Sequence, residues 1–90
     1  MSEAKFPLGR TVITANAATM LTQQDIERGL TRHATGDWGD MDESDGQEND
    51  RALQIGCRLL SAYRSAGGIR FWIITEASRE ATTILLPEDY

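Results

Sequence analysis

The sequence predicts an α+β domain: a three-stranded antiparallel β-meander in the carboxyl-terminal half, one or two short helices, and a short amino-terminal strand. Three observations carry this expectation. Ninety residues, 40 % apolar and 26 % charged, suit one small globular domain with a single core. A capped, periodic helix opens after Thr22. Three β-rich runs then follow one another between Cys57 and Leu86 with short connections.

Residues 1–10 show no clear period, and Pro7 and Gly9 interrupt any regular element, so this end is expected to be flexible. Thr11–Thr14 (TVIT) is β-branched throughout and reads as a short strand. Ala15–Met20 stays open between strand and loop. The helix that follows is expected over Gln23–Ala34. Thr22 is the N-cap, Asp25 completes a capping box, and Leu21 and Ile26 form a hydrophobic staple. Ile26, Leu30 and His33 or Ala34 line its inner face, and Gly36 terminates it.

Residues 36–50 form an acidic loop carrying Asp37, Asp40, Asp42, Glu43, Asp45, Glu48 and Asp50, with no basic residue. These are seven of the chain's fourteen acids, and the rest of the chain has seven acids against nine bases. One segment therefore gives the protein its net charge of −5. Trp38 is the one large aromatic in it. Gln47–Ile55 is helix-compatible, with Ser44 or Asp45 as its cap and Gly56 as its end. Arg58–Arg64 is expected as the first strand of the meander. A competing reading runs the helix on through Cys57 and Leu60 to Ser65, since Leu53, Cys57 and Leu60 also fit helical spacing. The two glycines of Ser65–Gly68 close a hairpin, Ile69–Glu76 is the central strand, and Thr82–Leu86 is the last before Pro87.

Both faces of the central strand carry large apolar groups: Phe71 and Ile73 on one, Trp72 and Ile74 on the other. The helices, the amino-terminal segment, a partner or a second copy must cover them. The candidate partner-binding residues are therefore two sets. One is the acidic loop with Trp38 as its aromatic anchor: Asp37, Trp38, Asp40, Asp42, Glu43, Asp45, Glu48 and Asp50. The other is the sheet surface around Arg70, Trp72 and Ile74.

Several chemistries are excluded. One cysteine, Cys57, and one histidine, His33, build neither a disulfide framework nor a zinc site. Cys57 is expected as a small buried apolar residue and His33 as a partner of its helix dipole, so no catalytic pair is expected. An EF-hand register beginning at Asp40 fits Asp42 and Ser44. It fails where Gly and Glu are needed, which Asp45 and Arg51 occupy. The SAGG turn lacks the lysine of a phosphate-binding loop. Arg58, Arg64, Arg70 and Arg79, with Tyr63, Phe71 and Trp72, are raw material for a nucleic-acid platform, but the acidic balance opposes phosphate. The start has no long apolar core and the longest apolar run is Phe71–Ile74, so a cytoplasmic protein without a membrane segment is expected. No catalytic residue, metal or cofactor is expected.

The blocks RHATGDWGD (Arg32–Asp40), ENDRAL (Glu48–Leu53), GCRLLSAYRSAGGIRFWIITEASR (Gly56–Arg79) and TTILLPEDY (Thr82–Tyr90) resemble a family of small proteins carried by plasmids, integrative elements and phages. Its members are often labelled plasmid-related proteins. The resemblance runs from about Thr11 to the carboxyl terminus, and the blocks are specific to the family and to no known activity. It implies a mobile-element context, in which small acidic proteins include antirestriction and anti-CRISPR inhibitors, several of them DNA mimics. The expected function is a non-catalytic acidic protein that binds a host or element-encoded protein, such as a nucleic-acid-handling complex, with homodimerisation as a further expectation. The alternative is a small nucleic-acid-binding or regulatory module that uses an arginine and aromatic sheet face.

Overall fold

The computed structural model describes residues 3–90. The elements are β1 (Arg10–Ile13), α1 (Ala15–Met20), α2 (Gln23–Ala34), α3 (Glu43–Ile55), β2 (Leu59–Arg64), β3 (Arg70–Thr75) and β4 (Ala81–Leu85), ending in a 3₁₀ turn, Pro87–Asp89. The fold is α+β, with a four-stranded mixed sheet in the order β1-β4-β3-β2. β2, β3 and β4 pair antiparallel, while β1 adds to β4 in parallel. The expected three-stranded meander is thus only part of the sheet. The chain from β1 to β4 runs through all three helices before it returns, so no local signal announces that pairing.

Three other expectations need correction. Ala15–Met20, open between strand and loop, is a helix, because the Thr14 hydroxyl accepts from Ala17 N–H and caps an alanine-rich turn. The acidic stretch is loop only as far as Asp42. The Asp42 side chain accepts from Asp45 N–H and starts α3, so Glu43–Asp50 is helical. The amino-terminal segment, expected to be flexible, is tied down over its described residues: Lys5 N–H donates to Ala34 O at 2.7 Å and Phe6 is buried. Within 57–65 the chain is strand over Leu59–Arg64 rather than continued helix, since Gly56 takes a left-handed conformation (φ 78°) and ends α3.

The α2 expectation holds at both ends. Thr22 and Asp25 form the capping box, and the Asp25 carboxylate also accepts from Ala66 N–H at 3.1 Å. That bond, followed by those from Thr22, holds the Asp25 pKa below its usual value. The helix start is thereby tied to the β2–β3 turn. Gly29 lets α2 lie close on the sheet, because a Cβ there would stand 2.9 Å from the Phe71 ring.

One sheet face carries Leu59, Ser61, Tyr63, Phe71, Ile73, Thr75, Thr82 and Ile84. The helices and Phe6 cover it. Ala17 and Leu21 pack with Tyr63, Phe71, Ile73, Ile84 and Leu86, while Phe6, Trp38 and Ala52 pack with Leu59. Of the coverings left open in the sequence, the amino-terminal segment lies with the helices on this face and not on the opposite one. There the carboxyl terminus folds back: the Tyr90 ring meets Trp72 edge-on at 5.5 Å, and Arg58 donates to the Tyr90 hydroxyl at 2.7 Å. No helix among the described residues is long and apolar enough to cross a membrane.

Candidate functional site

The outer edge of β2 is not left bare. The Asn49 amide, on α3, donates to Leu60 O at 2.7 Å and accepts from Leu60 N–H at 3.1 Å, imitating a neighbouring strand. Two residues on, Asp40 N–H donates to Ala62 O and Ala62 N–H donates to Trp38 O. The loop 37–41 and α3 therefore close this edge. We expect Asn49→Ala to cost about 2 kcal/mol, from two lost bonds to half-buried backbone groups. Urea denaturation measures that cost, and amide exchange at Leu60 should accelerate.

This closure builds a groove on the face opposite the helical layer. It has a volume of about 430 Å³, with walls from Asp40 and Met41 of the loop and from Asp45, Glu48 and Asn49 of α3. Leu60, Ala62, Arg70 and Trp72 form its sheet side. Asp45 and Glu48 share a helix face by their three-residue spacing. Ala62 and Trp72 are direct cross-strand partners, which places the indole beside the acids. Arg64 and Arg70 also stand opposite one another across β2 and β3, and Arg64 Nε lies 4.0 Å from Asp40. Part of the acidic charge therefore offsets a like-charge pair. A shallow half-apolar groove walled by three carboxylates remains.

The structure thus brings together Asp40, Asp45 and Glu48 from the acidic stretch with Arg70 and Trp72 from the sheet. The other expected site residues have structural positions. Asp37 receives Arg32 Nε at 2.7 Å, which lowers its pKa, and it also accepts from Gly39 N–H. Asp42 caps α3, where Glu43 lies exposed in the first turn. Asp50 accepts from the Trp38 indole at 2.9 Å. Trp38 itself is buried, stacked on Phe6, so it tucks the loop onto the domain and is not a surface anchor. Ile74 is 4 % exposed, between Leu60 and Thr83 of the flanking strands, and offers no surface to a partner.

The arginines divide in the same way. Arg79, with left-handed backbone (φ 63°), donates to Cys57 O, Glu76 O and Ala52 O and so serves the carboxyl end of α3. Arg58 is held by Tyr90. Only Arg64 and Arg70 border the groove region.

His33 and Cys57 are corrected as well. Cys57 is exposed, because it follows the left-handed Gly56 in the turn between α3 and β2. His33 is wholly buried and serves no helix dipole. Its Nδ1 lies 2.5 Å from Ser61 Oγ, and its Nε2 lies 2.8 Å from Thr75 Oγ1. Thr75 Oγ1 is 2.7 Å from Thr82 Oγ1, which donates to Leu8 O at 2.6 Å. Each hydroxyl has one proton to give, so the chain has one consistent direction: Ser61 donates to Nδ1, Nε2–H to Thr75, Thr75 to Thr82, and Thr82 to Leu8 O. This fixes the Nε2–H tautomer. Burial, with Arg79 adding a smaller repulsion, lowers the His33 pKa from 6.5 to about 4. The imidazole is a neutral cross-brace between α2, the sheet and the amino-terminal segment. With both nitrogens so engaged, it forms no pair with the exposed thiol.

The sequence held one missed signal for this network. Ser61, Thr75 and Thr82 occupy inward positions of strands whose other inward residues are apolar, and buried hydroxyls need partners. Among the described residues, no three His, Cys, Asp or Glu side chains converge to hold a metal ion. Comparison with protein-family models, curated proteins and solved structures finds no match.

Proposed function

We propose that the protein is a non-catalytic acidic binding module whose groove takes an arginine- or lysine-rich segment of a partner protein. The convergence of Asp40, Asp45 and Glu48 around the half-buried Trp72 is the observation that supports it. Carboxylates would pair with the cationic heads, and the indole would pack on the alkyl stems or the guanidinium plane. The resemblance to mobile-element proteins supplies the context. In that setting the partner is a host protein whose basic surface handles nucleic acid, and occupation of that surface would inhibit it, as antirestriction and anti-CRISPR proteins do. The same carboxylates repel phosphate, which disfavours direct nucleic-acid binding through Arg70 and Trp72.

The test is the combined variant Asp40→Asn, Asp45→Asn, Glu48→Gln. Affinity for an arginine-rich peptide, measured by calorimetry, should fall about tenfold or more, and wild-type affinity should weaken as salt rises. Equal affinity in variant and wild type would overturn the reading.

A further inference from the structure

The two edges of the sheet are treated differently. Asn49 and the loop at Trp38–Asp40 close the β2 edge, whereas β1 is open. Arg10 N–H donates to Glu80 O and Thr14 N–H to Ile84 O, so alternate residues of β1 face β4. Thr11 and Ile13 therefore direct their N–H and C=O groups outward, and these find no partner among the described residues. Val12, between them, is 39 % exposed. A bare strand edge of this kind is a template for another strand.

We propose that two copies of the chain join through β1, antiparallel, with Val12 opposite Val12 of the second copy, to form one continuous sheet. In this register Thr11 exchanges both backbone bonds with Ile13 of the second copy, and the symmetry repeats the exchange. The two valines meet as a non-hydrogen-bonded pair, where side chains are closest. Charge complementarity selects a second copy over an unrelated strand. Arg10 is exposed and has no ion pair among the described residues. The register places it opposite Thr14 of the other copy, whose hydroxyl holds the Asp89 carboxylate at 2.7 Å. Asn16 and Leu86 N–H hold the same carboxylate, so it is fixed and ionised where the incoming guanidinium arrives. The contact is made twice, as an isologous interface requires.

Sedimentation across a concentration series tests this. Wild type should shift from the 10.0 kDa chain toward twice that mass, and amide exchange at Thr11 and Ile13 should slow together with the shift. Thr11→Pro removes only an outward donor, and Val12→Lys sets two like charges at the pair centre. Each should raise the dimer dissociation constant about a hundredfold while far-ultraviolet circular dichroism stays unchanged. Arg10→Glu should raise it about tenfold. If Thr11→Pro does not fold, Val12→Lys decides. A wild type that stays monomeric throughout would overturn the proposal and leave the edge to a strand of another protein. A dimer that survives both edge variants would overturn it in favour of a different surface.

Discussion

Replacing His33 with alanine is expected to destabilise the protein by about 3–5 kcal/mol, enough to remove much of a small domain's stability. The imidazole fills space between Phe6 and Trp38, whose ring centroids lie 5.3 Å and 5.8 Å away. Its loss opens a cavity and strands the hydroxyls of Ser61 and Thr75. The wild-type protein should also show a pH dependence from this residue. The folded-state pKa is about 4 and the unfolded value is 6.5, so the unfolded chain binds the proton more readily. His33's contribution is then complete above pH 6.5 and declines as pH falls toward 4. The decline amounts to about 3 kcal/mol over that window. Urea midpoints measured at intervals between pH 7 and pH 4 follow it. Carboxylates such as Asp25 and Asp37, whose folded pKa values are depressed, add their own loss at lower pH. The difference between wild type and His33→Ala isolates the histidine. A difference that stays constant with pH would show that its protonation does not oppose folding.

The second large effect is expected at Gly39. Its φ is +77°, and a Cβ there would collide with the Ala62 carbonyl oxygen and the Tyr63 ring. Gly39→Ala should therefore cost about 3–5 kcal/mol through backbone strain and overpacking. The damage should be directional. Trp38 O and Asp40 N–H could no longer approach Ala62, so the closed β2 edge would open and the Asp40 wall of the groove would move. The Tyr63 hydroxyl, which donates to Asp37 O at 2.6 Å, would lose its acceptor. A thermal melt gives the magnitude. Faster amide exchange at Asp40 and Ala62 than at Ile73 identifies the location, and a uniform change would point to general unfolding instead.

These two residues mark the boundary of what the sequence discloses. The α2 limits were legible because Thr22, Asp25 and the apolar spacing are all local. The hairpin joining β2 to β3 was legible in part: the two glycines of Ser65–Gly68 mark its turn, while helical spacing also fitted the run up to Ser65. The α3 start was missed because the stretch of acids reads as a solvated loop. Asp42 as cap with Asp45 three residues later is a helix signal hidden in that composition. The parallel β1–β4 pair was not legible at all, because its partners lie some seventy residues apart in sequence and neither strand specifies its neighbour. The candidate site stood in between. The acids and Trp72 were recognised separately, but only the helical phase of Asp45 and Glu48 shows that they share a groove. Trp38, equally conspicuous in sequence, turned inward, and Ile74 is buried on the Trp72 face between its neighbouring strands.

The most direct test of the acidic-groove account is a nuclear magnetic resonance titration of the isotopically labelled protein with an arginine-rich peptide and, in parallel, with duplex DNA. Groove binding predicts salt-sensitive shifts at the Trp72 indole and at the amides of Asp40, Asp45 and Glu48 on adding the peptide, with none on adding DNA. Peptide shifts that avoid those four residues, or DNA shifts centred on Arg70 and Trp72, would contradict it.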